Sequence, residues 1–287
     1  MSRPGARALG ASQTYTLKLL ERSPIGAVKA SELKAVDFIE HCRTRRAANI
    51  NAATVNQDMT YLRVVLKYAA DAWDMPVNLA AWEKAKPQLV RQQLIGKSKA
   101  RTRRPTQEEL DRLIDYFRAQ NGHWRTVIPM DVITEFSVLT ARRISETCRI
   151  RWEDLNHEKR TCIVRDLKNP KGKGEHGEFP LLGRAWDLVM AQPKVDGEPR
   201  IFPYNAKSAG ARYTEAKRRL GIKGLRLHDN RREAISRMFE QGYNVPEVAK
   251  LSLHKNPSLL LNVYTALKPE DLHHGPASKR QQATAQP

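Results

Sequence analysis

Four side chains that can perform chemistry on an anion lie within residues 225–264: His228, Arg231, His254 and Tyr264. The guanidinium and the two imidazoles can bind or protonate a phosphodiester, and the tyrosine hydroxyl can attack one. Each residue also has an ordinary interpretation, because histidines at helix ends are common on surfaces and a tyrosine after an apolar run is usually a core or edge aromatic. Asp229 is expected to cap a helix whose first turn presents His228 and Arg231 to an anion, and Asn256 is expected to start the helix that follows His254. Together the four residues predict a candidate active site.

An earlier segment contributes Arg143 and Glu146, three residues apart on one predicted helix. A pair with this spacing can also be a simple intrahelical ion pair. Three lysines, at positions 168, 171 and 173, crowd a predicted hairpin turn, where they either reach a phosphate or remain solvated. Attack on a phosphodiester needs a nucleophile, cations for the nonbridging oxygens and an acid for the leaving oxygen. Two Arg, two His, one Lys and one Tyr supply all of these without a metal.

The composition favours a nucleic-acid partner. The formal net charge is +19 and the pI is about 10.1, and clustered Lys and Arg release counterions from a phosphate backbone. A ribosomal-type or merely solubilising basic surface is the alternative. Apolar runs are too short to span a bilayer, and the N-terminus lacks a secretory h-region, so we expect a cytoplasmic protein. The cysteines, Cys42, Cys148 and Cys162, form no C-x-x-C pair and are expected to be reduced.

The elements that must position these residues divide into two predicted domains. Residues 1–12 are predicted to be a mobile arm, residues 13–90 a helical domain and residues 91–104 a basic linker. In the helical domain, Ser31 is the expected N-cap of one helix. A second helix is predicted from Thr54 to Trp73, because apolar residues recur every three or four positions. The basic residues Arg43, Arg45 and Arg46 of this domain, which precede the second helix, either contact phosphates or form a solvated charged face.

Residues 105–274 are predicted to form the second domain, and residues 275–287 a disordered tail. Thr106 and Glu109 form a capping box that starts its first helix. Further helices are expected within 127–150 and around 184–191, 208–219, 230–241 and 246–253. The β-branched segment 161–167 and residues 178–182 are predicted to pair as a β-hairpin. The chain has no internal repeat and no P-loop, so nothing in it indicates ATP use.

Three motifs make the chain resemble the tyrosine recombinase (phage integrase) family over nearly its whole length. Residues 140–146 (TARRISE) are similar to the family's T-G-x-R-x-x-E motif. Residues 228–232 (HDNRR) are similar to H-x-L-R-H, and residues 251–254 followed by Tyr264 are similar to L-G-H followed by the nucleophile. The His254-to-Tyr264 interval is one residue longer than usual. The departures from these motifs are Ala141 for Gly, Asn230 for Leu, Arg232 for His and Leu253 for Gly.

The resemblance implies a set of catalytic roles. Tyr264 is expected to attack the scissile phosphate, Arg143 rather than Arg142 to grip it together with Arg231, and His228 and His254 to hydrogen-bond or exchange protons. The acid for the 5′ oxygen is expected on the hairpin, with Lys168 favoured over Lys171 and Lys173, and Glu146 is expected to orient the arginines. No cofactor or metal is expected.

The resemblance also implies the fold and the partners. The fold is expected to be mainly α with a small antiparallel β-sheet or hairpin, in which a helical core-binding domain and an α+β catalytic domain form a C-shaped clamp on DNA. The expected partners are double-stranded recombination sites, further copies of the chain in a DNA-bound tetramer with a Holliday-junction intermediate, and accessory DNA-bending proteins, in a prokaryotic nucleoid or a phage-infected cell. The candidates for backbone contacts are Arg43, Arg45, Arg46, Lys171, Lys173 and Arg232.

Two other classes of function compete with this interpretation. A non-catalytic DNA-binding regulator could keep the same fold, although the complete set of candidate residues argues against it. A metal-dependent nuclease would need a ligand set from Asp131, Glu135, Glu146 and Asp154, whose spacing shows no ligand-like arrangement.

Overall fold

The computed structural model describes residues 9–98, 101–122, 127–167 and 175–264, with the side chains of residues 262–264 left out. Within these ranges the protein is mainly helical with one small antiparallel sheet, which confirms the predicted fold class. The chain divides into two compact units, Met1–Arg101 and Thr102–Pro287. Among the described residues, no helix has the length and apolar character needed to cross a membrane.

The described residues of the first unit form four α-helices: α1 (Ala11–Glu21), α2 (Ala35–Ala47), α3 (Ala52–Trp73) and α4 (Leu79–Arg91). The prediction for α3 is confirmed, and Val55 and Met59 from its apolar stripe are fully buried. Helix α1 begins inside the predicted arm 1–12, because Gln13 Oε1 accepts the Gly10 backbone N–H at 3.1 Å and Leu20 is buried. No helix was predicted at α4, which contains Pro87.

The predicted start of α2 at Ser31 is wrong. The helix begins at Ala35, and the Lys34 backbone N–H donates to the Asp37 carboxylate at 2.7 Å. Leu33 is buried from the preceding loop, whereas Val36 is 52% exposed. Leu33 therefore lies outside the helix that was predicted to begin at Ser31.

The basic segment 91–104 is not a free connector along its whole length. Ile95 is buried in the core of the first unit, and the Gly96 backbone N–H donates to the Ala52 carbonyl at 3.2 Å. At the other end, the Arg104 guanidinium contacts Glu233 and Glu240 at 2.7 Å each. Both ends of the predicted linker are thus anchored within folded units, because each carries one side chain with specific partners.

The second unit contains eight α-helices among its described residues: α5 (Gln107–Arg118), α6 (Met130–Thr140), α7 (Ile144–Thr147), α8 (Arg184–Met190), α9 (Ala206–Arg219), α10 (Asp229–Glu240), α11 (Val245–Ser252) and α12 (Ser258–Tyr264). The predicted capping box of α5 is confirmed. The Thr106 hydroxyl accepts the Glu109 N–H at 3.1 Å, and the Glu109 carboxylate accepts the Thr106 N–H at 2.9 Å. The helices predicted within 127–150 and beyond residue 184 are also confirmed.

The predicted hairpin is confirmed as strands β2 (Thr161–Val164) and β3 (Gly177–Pro180), which pair antiparallel with Cys162 opposite Phe179. A short strand that was not predicted, β1 (Leu155–Asn156), pairs antiparallel with β2 and completes a sheet of order β1-β2-β3. Both Cys162 and Phe179 are buried in the main core of the unit.

A second hydrophobic cluster in this unit carries the candidate site. It joins Ala141, which follows α6, to apolar residues of α10, α11 and α12. Leu260 is the buried residue that α12 contributes. Because this cluster holds the ends of α6 and α11 against α10, it fixes the segments on which the motif residues lie.

Candidate active site

Helices α6 and α11 both end in a left-handed residue. Ala141 follows α6 with φ 56° and ψ 22°, and Leu253 follows α11 with φ 53° and ψ 44°. At both positions the family whose motifs this chain resembles has glycine, the residue that adopts this conformation without a steric cost. The two departures from the motifs therefore keep the backbone turn that glycine would make.

Arg231 connects these two helix ends. Its side chain, on α10, donates to the Ala141 carbonyl through NH1 and to the Ser252 carbonyl through NH2, the latter at 2.9 Å. We expected Arg231 to face an anion at the N-terminus of α10. Instead, the guanidinium is buried against the C-terminal carbonyls of α6 and α11, where a cation is favoured by the helix dipoles.

Arg142 makes a parallel connection one residue earlier in each helix. Its Nε donates to the Thr140 carbonyl at 3.1 Å and its NH2 to the Leu251 carbonyl at 2.7 Å. The guanidinium lies over the Phe179 ring, 4.6 Å from its centroid, and the side chain is 0% exposed. Arg142 is therefore a structural cation. The sequence distinguishes it from Arg143 only through the motif, because the burial of Arg142 depends on Phe179 and Leu251, which are distant in the sequence.

Arg143 differs from Arg142 in reaching the surface. Its side chain is 36% exposed, and its NH1 donates to Glu146 Oε1 at 2.6 Å. It occupies the position before the short helix α7. Of the two adjacent arginines, only Arg143 can meet a ligand from solvent, which supports the residue chosen from the motif.

Glu146 lies at the centre of the arginine cluster. Its side chain is 1% exposed, and Oε2 accepts the Arg143 backbone N–H at 3.1 Å while lying 3.8 Å from Arg231 NH1 and 4.0 Å from Arg142 NH1. Burial alone would raise the pKa of this carboxyl, but the three arginines lower it. The intrahelical pair that the spacing allowed is present, and it is also the anion shared by three cations.

One carboxylate does not neutralise three guanidiniums. Burial, followed by the charges of Arg143 and Arg142, lowers the pKa of Arg231 to about 9, and Glu146 opposes this only in part. Arg231 is still a cation at neutral pH. An anion bound beside Arg143 and Arg231 would relieve the excess positive charge, so the site is suited to a phosphate group.

His254 lies against Arg231 and Ser252. Arg231 NH2 is 3.1 Å from its Nδ1 and 3.0 Å from its Nε2, and the Ser252 hydroxyl oxygen is 2.6 Å from Nδ1. Burial first, and then Arg231 and Arg143, lower the pKa of His254 to about 3. The imidazole is therefore neutral at physiological pH. Ser252 was not predicted, and its only signal is a hydroxyl two residues before the histidine.

His228 immediately precedes α10 and is exposed. Partial desolvation, followed by the charges of Arg231 and Arg143, lowers its pKa. We expected Asp229 to cap the helix, but His228 itself has helical φ and ψ, and Asp229 is the first helical residue. The Asp229 carboxylate reaches back to accept the Arg226 backbone N–H at 2.9 Å.

The predicted nucleophile ends α12. The Asn256 side chain accepts the Ser258 backbone N–H at 3.0 Å, which confirms the predicted helix start, and Leu260 anchors the helix in the cluster with α10 and α11. Tyr264 is the last residue of α12, and its side chain is not among those described. Lys168, Lys171 and Lys173 lie outside the described residues.

The predicted DNA-backbone residues of the first unit are not equivalent. Arg43 is exposed and pairs with Glu40 at 2.9 Å, and Arg46 is exposed and donates to the Ile50 carbonyl at 2.6 Å. Arg45 is more enclosed, and its guanidinium is held at 2.8 Å by Asp58, a carboxylate that is 2% exposed. Arg45 therefore serves the fold of this unit.

Arg232, the remaining candidate for a backbone contact, is half-buried in α10. It lies close enough to His228 for its charge to help lower the pKa of that imidazole. Arg232 thus adds to the positive charge around the start of α10.

The carboxylates considered for a metal-dependent nuclease have separate partners. Glu135 pairs with Arg184, Asp154 with Arg165, and Asp131 accepts from the Asn121 side chain. Within the described ranges, no group of three or more His, Cys, Asp or Glu side chains is placed to hold a metal ion.

Comparison with known proteins agrees with the motifs. Residues 103–271 match the phage integrase family. The chain is 31% identical over 258 residues to a shufflon-specific DNA recombinase of Escherichia coli, covering 88% of this chain and 63% of that protein. It is 26% identical over 255 residues to a putative integrase/recombinase of Haemophilus influenzae, covering 86% and 65%. The chain thus spans less than two thirds of the length of these two relatives.

Solved structures share the fold at low sequence identity. The Tn1549 transposon integrase in complex with transposon right end DNA superposes with a TM-score of 0.68 at 16% identity, over 99% of this chain and 96% of that one. A lambda integrase tetramer bound to a Holliday junction gives a TM-score of 0.64 at 15% identity, over 88% and 74%. At this level of identity the similarity shows the fold.

Proposed function

The chain belongs to the phage integrase family, and on that premise we propose that it is a site-specific DNA recombinase that cleaves and rejoins strands through a covalent 3′-phosphotyrosine at Tyr264. The observation that carries the proposal is the cluster in which Glu146 faces Arg142, Arg143 and Arg231. This cluster retains positive charge and has one arginine at the surface, as a site for a phosphodiester requires.

In the proposed cleavage step, the Tyr264 hydroxyl oxygen forms a bond to phosphorus and the bond from phosphorus to the 5′ oxygen breaks. Arg143 and Arg231 hold the nonbridging oxygens as charge builds on them, with Glu146 orienting both guanidiniums. His228 and His254 hydrogen-bond to the phosphate or exchange protons, and the Lys168 ammonium gives its proton to the departing 5′ oxygen. Because the phosphotyrosine conserves the bond energy, ligation needs neither ATP nor a metal.

We further propose that both units bind duplex DNA, with residues 13–90 acting as a core-binding domain and residues 105–274 as the catalytic domain. Four copies would assemble on two duplexes and pass through a Holliday junction, with accessory DNA-bending proteins where the site requires them. The net charge of +19 supports binding to the duplex backbone. The lambda integrase tetramer, which shares the fold, holds a Holliday junction. Such a protein would act in a prokaryotic nucleoid or a phage-infected cell.

The decisive experiment traps the covalent intermediate. Duplexes that carry inverted repeats from the neighbourhood of the coding region, nicked so that cleavage releases a short strand, should give a denaturant-resistant protein–DNA adduct. The Tyr264→Phe variant should give none. Tyr68→Phe, which removes a phenol hydroxyl from an exposed residue of the first unit, is the matched control and should react like the wild type. An adduct with Tyr264→Phe would refute the assignment of the nucleophile.

The same assay separates the competing classes. A non-catalytic regulator would bind these duplexes, as seen by a mobility shift, without forming an adduct. A metal-dependent nuclease would leave cut DNA without an adduct, would lose activity in a chelator and would regain it with magnesium. The proposed recombinase should form its adduct in the presence of the chelator.

A further inference from the structure

Asn230 is a fully buried amide next to Arg231, in the first turn of α10. It stands where the motif of the family has leucine. Its Oδ1 accepts from the Tyr213 hydroxyl of α9 at 3.0 Å, and its Nδ2 donates to the Ser137 hydroxyl oxygen of α6 at 3.0 Å. A polar side chain thus replaces an apolar one where three helices meet, and both ends of its amide are hydrogen-bonded.

The direction of each hydrogen bond follows from Ser137. Its hydroxyl donates its one proton to the Thr134 carbonyl at 2.7 Å, so its oxygen can only accept from the amide. With the amide turned over, Oδ1 of Asn230 would face that oxygen at 3.0 Å without a proton between them. The amide nitrogen therefore faces Ser137, and Oδ1 faces Tyr213. Burial raises the pKa of the Tyr213 phenol, which keeps the proton that it donates.

Two adjacent residues of α10 therefore reach two points on α6. Asn230 bonds to Ser137, and Arg231 donates to the carbonyl of Ala141, four positions further along. Four residues make about one helical turn, so the two contacts fix both the position of α10 along α6 and its rotation. The carbonyls that accept from Arg231 lie at the ends of α6 and α11, so the place of the guanidinium depends on where α10 is held.

We propose that Asn230 is a positioning residue that, through its directed hydrogen bond to Ser137, sets the place at which Arg231 meets a phosphate group. This inference rests on the proposed function for the phosphate of the DNA strand, and its test uses inorganic phosphate. A leucine would fill the same place by packing, which has no direction. An amide bonded at both ends holds α10 in one register against α6.

The Asn230→Leu variant introduces the family's residue into a space that is shaped for the amide. The amide oxygen and nitrogen each lie 3.0 Å from a hydroxyl oxygen, of Tyr213 and of Ser137, whereas a methyl carbon packs at about 3.5–4.0 Å. Because both methyl groups would be too close, a shift toward one helix does not relieve the other. Helix α10 should move by about 0.5 Å or more, and Arg231 should move with it.

Phosphate binding to the full-length protein without DNA measures this displacement. In ¹⁵N-labelled protein at neutral pH, the ring signals of His254, assigned by their loss in His254→Asn, report on Arg231, whose NH2 lies 3.0 Å from Nε2. Adding inorganic phosphate should shift these signals in the wild type. In Asn230→Leu the signals should differ before phosphate is added, and the dissociation constant should rise by about tenfold or more, as for the loss of one charge-assisted hydrogen bond.

Val189→Ala is the control for a loss of stability alone. Val189 is fully buried on α8 in the main core of the unit, so this variant should lower the urea midpoint and keep the wild-type phosphate affinity. An equal loss of phosphate affinity in Val189→Ala would overturn the proposal, because the effect would then follow stability.

Ser137→Ala is the second variant, and it decides the question if Asn230→Leu does not fold. It removes the acceptor of the Asn230 amide without adding bulk, so it should weaken phosphate binding in the same direction and shift the His254 signals. Wild-type phosphate affinity in a folded Asn230→Leu or Ser137→Ala protein would overturn the proposal.

The two hypotheses fail differently. If the wild type forms no adduct with the nicked duplexes, the proposed function is wrong, and the phosphate titrations still decide the role of Asn230. If the wild type forms the adduct and Asn230→Leu binds phosphate with wild-type affinity, the positioning role is wrong and the function stands. If inorganic phosphate leaves the wild-type His254 signals unchanged, Arg231 does not meet a phosphate and the positioning role is wrong.

Discussion

Replacing Ala141 with glycine tests whether the backbone turn that holds Arg231 is strained. Ala141 is 0% exposed with φ 56°, and its carbonyl accepts from the Arg231 guanidinium. An L-residue in the left-handed region costs about 1–2 kcal/mol. Ala234, in the interior of α10, belongs to the same hydrophobic cluster and is 1% exposed. Ala234→Gly therefore removes an equally buried methyl group from right-handed helical backbone and is the matched control.

The two variants should differ through the sign of φ alone. Ala234→Gly loses a buried methyl group, about 0.8 kcal/mol, and helix propensity, about 1 kcal/mol, so its free energy of unfolding should fall by about 2 kcal/mol. Ala141→Gly loses the same methyl group and gives the unfolded chain freedom worth about 0.4–1 kcal/mol, but it relieves about 1–2 kcal/mol of strain. Its stability should stay within about 1 kcal/mol of the wild type.

Both alanines lie in the second unit, so urea unfolding of that unit reports on both in the same transition. The midpoints, multiplied by a common m-value, give the two changes in the free energy of unfolding. Equal losses in the two variants would refute the reasoning, because they would show that the turn after α6 stores no strain. The adduct-forming rate of Ala141→Gly should match the wild type, since glycine keeps the carbonyl that Arg231 uses.

The remaining predictions concern charge. The pKa of His254 is about 3 in the folded protein and 6.5 in the unfolded chain. The unfolded chain therefore binds the extra proton between these two values, and the free energy of unfolding falls as the pH drops through that window. The His254→Asn variant should lose less stability than the wild type between about pH 7 and about pH 5, measured by urea midpoints. Arg45→Met should lower the free energy of unfolding of the first unit by about 3 kcal/mol, because Asp58 is left buried without its partner. The exposed Arg43→Met should cost less than about 0.5 kcal/mol yet reduce the salt dependence of DNA binding, and the reverse pattern would contradict the roles given to these two residues. Arg104→Met should cost about 1 kcal/mol, since its guanidinium holds two glutamates of α10, and a cost no larger than that of Arg43→Met would argue against this anchor.

Elements with complete local signals were predictable from the sequence. The capping box at Thr106 and Glu109 fixed the start of α5, because both hydrogen bonds form between residues three apart. The helix predicted from Thr54 was placed within two residues of the start of α3, since its apolar period continues to Trp73. Ser31 failed as a cap because the burial of Leu33 depends on the packing of the preceding loop, which no local pattern encodes.

In the candidate site, too, residues in local motifs were predictable, whereas contacts between helices were not. The motifs identified Arg143, Glu146 and His254, which the structure brings together with Arg231. Sequence spacing did not predict the direction in which Arg231 points, because both of its carbonyl partners come from other helices. Ser252 was missed for a related reason, since its carbonyl meets Arg231 only where α11 packs against α10. The assignments of Tyr264 and Lys168 stay predictions, and the adduct assay tests the first of them.

The way in which the buried arginines are held explains how the site keeps its charge. A carboxylate for each guanidinium would satisfy the donors but would also cancel the attraction for a phosphate. Arg142 and Arg231 instead donate mainly to carbonyls at the ends of α6 and α11, which accept hydrogen bonds and carry no net charge. Glu146 then orients the cluster, and the positive charge left over is available to a phosphodiester. Replacing one of these carbonyl acceptors with a second carboxylate would stabilise the site without a ligand and weaken its binding of a phosphodiester.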